Sequence, residues 1–191
     1  MHEFTTINPF EPHLMAARKK AKMLCQQLNG LRADQRKARE PIYQSLFGRA
    51  NKPYIEPNFV CDYGSNIFLG DNFYANHNCV MLDAAAIVIG DRVLLGPGVQ
   101  LYTTTHPLDA RERASGLEVI APITIEDDCW LGGGVLVMPG VTIGKGSVIG
   151  AGSVVTRDIP PGVVALGNPC RVQRSITPAD PLATTTGPAS P

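Results

Sequence analysis

Residues 123–155 read ITIEDDCWLGGGVLVMPGVTIGKGSVIGAGSVV, and the stretch counts in sixes. Ile125, Leu131, Val137, Ile143, Ile149 and Val155 recur at one slot. The slot two residues earlier holds Ile123, Cys129, Val135 and Val141, then the small polar pair Ser147 and Ser153. Toward the N-terminus the first series continues through Leu101, Leu95 and Ile89, slips by two residues, and resumes at Met81, Ala75 and Leu69. The second runs beside it through Val99, Val93, Ile87, Cys79, Phe73 and Ile67. Leu101 and Ile125 lie 24 residues apart, four sixes, so phase survives the interruption between them. A fixed short period of this kind marks a repeat architecture, here the hexapeptide type of parallel β-helix.

Inward slots two residues apart put both side chains on one face of a short strand. Gly70, Gly90, Gly96, Gly132, Gly144 and Gly150 follow the first series directly, and a glycine there is expected to turn the chain with positive φ. Three strand–turn units close a triangular coil of roughly 18 residues, and stacking buries an apolar prism that no coil buries alone. A β-sandwich expects strict alternation at irregular spacing and does not keep phase in this way. The hexads do not set the hand of coiling, since parallel crossovers in general are right-handed.

The 191-residue chain carries 17 basic and 17 acidic side chains. This balance excludes a charge-driven partner such as nucleic acid. No apolar run approaches the ~18 residues of a membrane span. Met1-His2-Glu3-Phe4 lacks the charged-then-apolar layout of a signal peptide. Cys25, Cys61, Cys79, Cys129 and Cys170 include no CxxC pair, and Cys79 and Cys129 fall on inward slots, where a reduced thiol packs as a small hydrophobe. These features predict a cytoplasmic protein without disulfides or membrane contact.

Three segments follow. Residues 1–52 lack the rhythm and read as a helical cap: Leu14, Ala17, Ala21, Leu24 and Leu28 form an amphipathic stripe that Asn29-Gly30 terminates. A second helix ends near Leu46-Phe47-Gly48, its start restricted by Pro41. Arg18, Lys19, Lys20 and Lys22 lie largely off the stripe and read as a solvated face. Residues 53–168 form the β-helix, with a long loop at 105–122, THPLDARERASGLEVIAP, inserted between coils; loops of that length are often functional. Residues 169–191 form an extension, whose tail from Ser175 is poor in apolar side chains and expected to be disordered.

Polar exceptions on such a wall are informative. His106 opens the inserted loop before Pro107. A lone loop histidine reads by default as a solvated residue, but at a break in the repeat a neutral imidazole is placed to take a proton from an attacking hydroxyl. Asn76 occupies a slot that elsewhere carries glycine; it is either a left-handed turn residue or an amide for a substrate hydroxyl. Asp62 and Asp83 are turn formers or sugar-binding carboxylates. Glu118 is solvated or aimed at the groove. Trp130, between inward Cys129 and Leu131, points outward, where an exposed tryptophan marks a binding surface. Arg157, Arg171 and Arg174 hold phosphates or are ordinary solvated charges. No metal is expected, because a histidine-ligated zinc needs about three convergent ligands. There is no GxSxG elbow and no Gly-Lys-Ser/Thr loop.

Several stretches resemble the maltose/galactoside O-acetyltransferases, grouped with nodulation acetyltransferases. They are Cys61-Asp62-Tyr63-Gly64, Asn72-Phe73-Tyr74-Ala75-Asn76, Thr104-Thr105-His106-Pro107, Trp130-Leu131-Gly132-Gly133, Pro139 to Gly144, Ile149 to Ser153 and Gly167 to Val172. The resemblance implies a left-handed β-helix, assembled as a homotrimer with active sites between subunits. It implies direct acetyl transfer from acetyl-CoA, the cosubstrate, to a sugar hydroxyl. His106 matches the family's general base; Asn76 and Asp62 match acceptor positions, and Asp83 adjoins another that is Ala84 here. Gly133 matches a residue whose N–H faces the thioester oxygen. Trp130, Ala151, Thr156, Arg157, Arg171 and Arg174 match positions along the CoA arm. At the N-terminus only Phe10 to Leu14 resembles the family's opening stretch, so the acceptor is expected to differ from maltose or a galactoside. The rivals are acetylation of a hydroxylated antibiotic, a non-catalytic scaffold with a decayed site, and a carbonic anhydrase-like metalloenzyme that lacks its histidines.

Overall fold

A computed structural model describes residues 3–32 and 34–177. In it the hexads form three parallel sheets, the faces of a prism. The first face stacks Ile67–Leu69, Ile87–Ile89, Ile123–Ile125 and Thr142–Ile143. The second stacks Tyr54–Ile55, Tyr74–Ala75, Leu94–Leu95, Trp130–Leu131, Val148–Ile149 and Val163–Leu166. The third stacks Val60–Cys61, Val80–Leu82, Gln100–Tyr102, Leu136–Val137 and Val154–Val155. Every residue of both inward series is at most 2% exposed, so the period reports the core directly. The two serines are no exception. Ser147 Oγ donates to Pro160 O at 2.8 Å, and Ser153 Oγ accepts the Gly167 N–H at 3.0 Å. They tie down the last turns where apolar partners run out.

Two expectations fail in detail. The glycines after the inward slots do not have positive φ; that conformation falls two residues later, at Asn72, Arg92, Gly98, Gly134, Gly146 and Gly152. The glycines sit instead where the next coil passes closest: a Cβ on Gly132 would lie 2.7 Å from Ala151 N. Nor is each coil 18 residues long. Tyr54 pairs with Tyr74 and Tyr74 with Leu94, steps of 20, whereas Trp130 pairs with Val148, a step of 18. The extra pair lies where the third face turns back to the first.

The cap comprises helix α1 (Pro12–Asn29), a 3-10 turn (Arg36–Arg39) and helix α2 (Glu40–Leu46). Ala21, Cys25 and Leu28 are its buried stripe. The Asn29 amide closes it onto the first coil, donating to Phe59 O at 2.8 Å and accepting the Phe59 N–H at 3.1 Å. Phe47 meets the fully buried Phe59 edge-on, with centroids 5.7 Å apart.

The inserted segment is not a plain loop. Thr104–Thr105 and Glu118–Ile120 form an antiparallel ribbon, and Thr5–Ile7 adds a third strand. A short helix α3 (Ala110–Ala114) sits at its tip, capped by Asp109, which accepts the N–H groups of Arg111 and Glu112. Glycine, proline and charge in the sequence concealed the ribbon. At the other end Arg171–Ser175 returns antiparallel on Val163–Leu166, and Ile176 N–H donates to Gly162 O at 2.8 Å. Order thus extends through Ser175; residues 178–191, where the rest of the expected disorder falls, lie outside the described residues.

Candidate active site

The prism has three corners, and the candidate residues divide between two of them. The first corner, between first and second faces, is polar and closed on itself. Asp71 N–H donates to Asp91 Oδ1 at 2.8 Å, Asp91 N–H to Asp127 Oδ1 at 3.0 Å, and Lys145 N–H to Glu126 Oε2 at 2.7 Å.

The second corner, between second and third faces, stacks Asn76-His77-Asn78, Gly96-Pro97-Gly98, Gly132-Gly133-Gly134 and Gly150-Ala151-Gly152. Past the first of them, Asn76-His77-Asn78, the turns carry almost no side chain. Among the described residues, the N–H groups of Gly133 and Ala151 have no hydrogen-bond partner, although Gly133 O accepts from Gly152 N at 2.9 Å. Asn76 is not the left-handed residue of its turn; Asn78 is. Asn76 Oδ1 accepts the His77 N–H at 2.8 Å. Trp130 and Leu94 flank this corner on the second face, 52% and 46% exposed. Arg171 and Arg174, on the returning strand, lie exposed at the far end of that face.

The third corner, between third and first faces, carries Asp62, Asp83, the ribbon with His106 and Glu118, and at the last coil the exposed pair Thr156 and Arg157. His106 is exposed and follows the strand Thr104–Thr105 directly. Glu118 Oε2 accepts from Thr104 Oγ1 at 3.3 Å. Burial and then the neighbouring Glu118 push the Asp62 carboxyl up, against Arg18 and Lys22. A cavity of ≈ 300 Å³ opens beside Asp62, between Lys22, Cys25 and Leu82.

Asp83 departs from the expected substrate contact. Its side chain is fully buried, and its carboxylate accepts the N–H groups of Asp62 at 3.0 Å, Tyr63 at 2.8 Å and Asn66 at 3.3 Å. It staples the longer turn of the coil before it. Burial outweighs these bonds and pushes its pKa up to about 7. Ala84 beside it is half-buried.

Sequence reasoning missed Arg18 and Tyr63. Arg18 is half-buried, donates to Tyr63 Oη and to Pro9 O, each at 2.6 Å, and so ties the N-terminal segment to the wall beside Asp62. The signal was available: Leu14, Arg18, Ala21 and Cys25 share helical spacing, so Arg18 belongs to the docked stripe and not to the solvated face. All five cysteines are buried thiols. Among the described residues no three His, Cys, Asp or Glu side chains gather as a metal ion requires, and no helix is long and apolar enough to cross a membrane.

The bacterial transferase hexapeptide model, of six repeats, matches residues 122–157, and the maltose acetyltransferase hexapeptide capping motif matches residues 8–51. The galactoside O-acetyltransferase of Escherichia coli is 44% identical, the match covering 85% of this chain and 81% of that protein. This chain belongs to the hexapeptide-repeat acetyltransferases. A solved maltose O-acetyltransferase from Clostridium difficile superposes with a TM-score of 0.89 at 47% identity, covering 91% of this acetyltransferase and 93% of that chain. A hexapeptide-repeat acetyltransferase from Vibrio cholerae, solved with acetyl coenzyme A, gives a TM-score of 0.85 at 40% identity, covering 90% and 93%.

Proposed function

We propose that this acetyltransferase transfers the acetyl group of acetyl-CoA directly to a hydroxyl of a sugar or related acceptor, in sites built between the subunits of a homotrimer. One observation carries the reading. The open second corner and the His106 ribbon stand on different corners of one prism, which face away from each other, so a second copy is needed to bring them together. Leu108, two residues beyond His106, is 95% exposed, as a ribbon tip docked on a neighbour would be in the isolated chain.

Within such a site the bare turns of the second corner let the pantetheine arm lie against backbone. Trp130, Ala151, Thr156, Arg157, Arg171 and Arg174 line its course. His106 takes the proton of the acceptor hydroxyl as its oxygen attacks the thioester carbon. The Gly133 N–H donates to the oxygen on which negative charge develops. The thiolate of CoA then leaves and recovers the proton from His106. Asn76, Asp62 and Glu118 face the acceptor, with Arg18 and Tyr63 fixing the wall behind Asp62. A covalent acetyl-enzyme has little support, because burial pushes the inward thiols of Cys79 and Cys129 up to about 11. Buried thiols and acetyl-CoA both suit the cytoplasm, where we place the reaction. The acceptor differs from maltose and simple galactosides, since Ala84 removes one polar partner at the third corner.

His106→Ala tests the base. Acetyl transfer should fall ~10²–10⁴-fold with acetyl-CoA binding intact. Near wild-type turnover at neutral pH would sink the assignment.

A further inference from the structure

At the capped end Arg36, Lys37, Arg39, Tyr43, Lys52 and Tyr54 line a cavity of ≈ 860 Å³, the size of a small-molecule site. None of the residues given a part in acetyl transfer lines it. Arg39 is its anomaly. The side chain is 7% exposed; Nη1 donates to Ile55 O at 2.8 Å, while Nε is buried without a partner among the described residues. A charge taken out of water without a counter-ion is strongly unfavourable, and the two acids of the wall supply none. Asp34 is bound by Arg32 at 3.1 Å, and Glu40 accepts from Gln44 at 3.0 Å. Four cations, Arg36, Lys37, Arg39 and Lys52, line the wall, and with Asp34 taken by Arg32 the carboxylate of Glu40 alone faces them, so positive charge is in excess. Arg36 is held at the wall by Tyr54, its guanidinium 4.8 Å from the ring centroid, and Tyr54 stacks in turn on Tyr74.

This excess of positive charge suits a phosphate monoester, which carries about −1.5 to −2 at neutral pH. A bare phosphate would fill little of the space, so an organic group packs beside it on Tyr43, Tyr54 and Pro53. We propose that this cavity binds the phosphate monoester of a small organic molecule, with Arg39 at its floor and Lys37 and Lys52 at its rim. The inference does not depend on the acceptor of the acetyl group.

Isothermal titration of the full chain with inorganic phosphate, AMP and glucose 6-phosphate tests it, with adenosine and glucose as controls and saturating CoA present to fill the donor site. At least one phosphate compound should bind saturably while its unphosphorylated counterpart does not, and added salt should weaken it. Arg39→Gln should reduce affinity about ten- to a hundredfold, the worth of a charged hydrogen bond. If that variant fails to fold, the exposed pair Lys37→Gln and Lys52→Gln carries the test, with at least a tenfold loss expected. The proposal is overturned if no phosphate compound binds at millimolar concentration, if the controls bind equally, or if the double variant binds like wild type.

Discussion

At the first corner three of the backbone N–H groups that the turns leave over are taken by acids of neighbouring coils, Asp91 serving Asp71, Asp127 serving Asp91 and Glu126 serving Lys145. At the second corner the equivalent groups, on Gly133 and Ala151, have no partner among the described residues. The hexad is the same; the finish is opposite. Where the corner is scaffold, side chains close the hydrogen bonding and exclude other acceptors. Where glycine and alanine replace those side chains, backbone donors stay open to a ligand and the surface is low enough for a long arm to lie along it. On the proposed reading, a repeat protein carries a binding edge beside a structural one without altering its core.

Three perturbations press on that contrast, in falling order of effect. Gly132 and Gly134 share a turn of the open corner but for different reasons. A Cβ at Gly132 would press on Ala151 N at 2.7 Å, whereas one at Gly134 meets nothing within 4 Å. Gly132→Ala should therefore cost about 1–3 kcal/mol, read as a lowered denaturant midpoint. Gly134→Asn, at a φ of +68° that asparagine tolerates, should cost far less. Equal losses would mean that coil-to-coil approach does not choose the glycines.

Asp83 supplies the second test through pH. Its folded pKa of about 7 stands above the ordinary carboxylate value of 3.8, so the native state holds a proton there that the unfolded chain releases. Stability from this group is present below about pH 4 and is lost as pH rises toward about 7. Asp83→Asn should flatten that decline in thermal melts between those limits. A slope unchanged by the substitution would show that Asp83 is ionised throughout.

The smallest effect is expected at the first corner. The Asp91 N–H and Lys145 hold the exposed Asp127 carboxyl below its usual range. Its contribution is present above about pH 4 and fades as pH falls through the lower folded value. Asp127→Ala should lower the melting temperature slightly at pH 7, with the difference shrinking under acid and turnover unchanged. Loss of turnover would mean that this corner also takes part in the site.

The period made the prism legible because an inward slot must be apolar whatever the rest of its coil does. Corners were less legible, since each depends on a coil 17 to 36 residues away. Nothing local to Asp83 announces that its acceptors serve Asp62, Tyr63 and Asn66, and the glycines looked like turn residues until the neighbouring coil was in place. The ribbon was hidden for a related reason, as half its pairing comes from Thr5–Ile7, over a hundred residues away in sequence. His106 and Trp130 were singled out by their place in the repeat and by motif, Gly133 by motif alone. Arg18 was misread because a charge on a docked stripe looks like a solvated one.

The account stands or falls on whether one chain lacks a complete site. Two variants should each be inactive alone: His106→Ala, which spoils the ribbon, and Ala151→Trp, which puts bulk on an exposed position of the open corner. Co-expressed and purified as mixed oligomers, they should recover activity approaching about a quarter of wild type, since a randomly mixed trimer pairs an intact ribbon with an intact corner at that fraction of its sites. No recovery from mixed trimers that demonstrably contain both variants would place both corners' work within a single subunit and contradict the account.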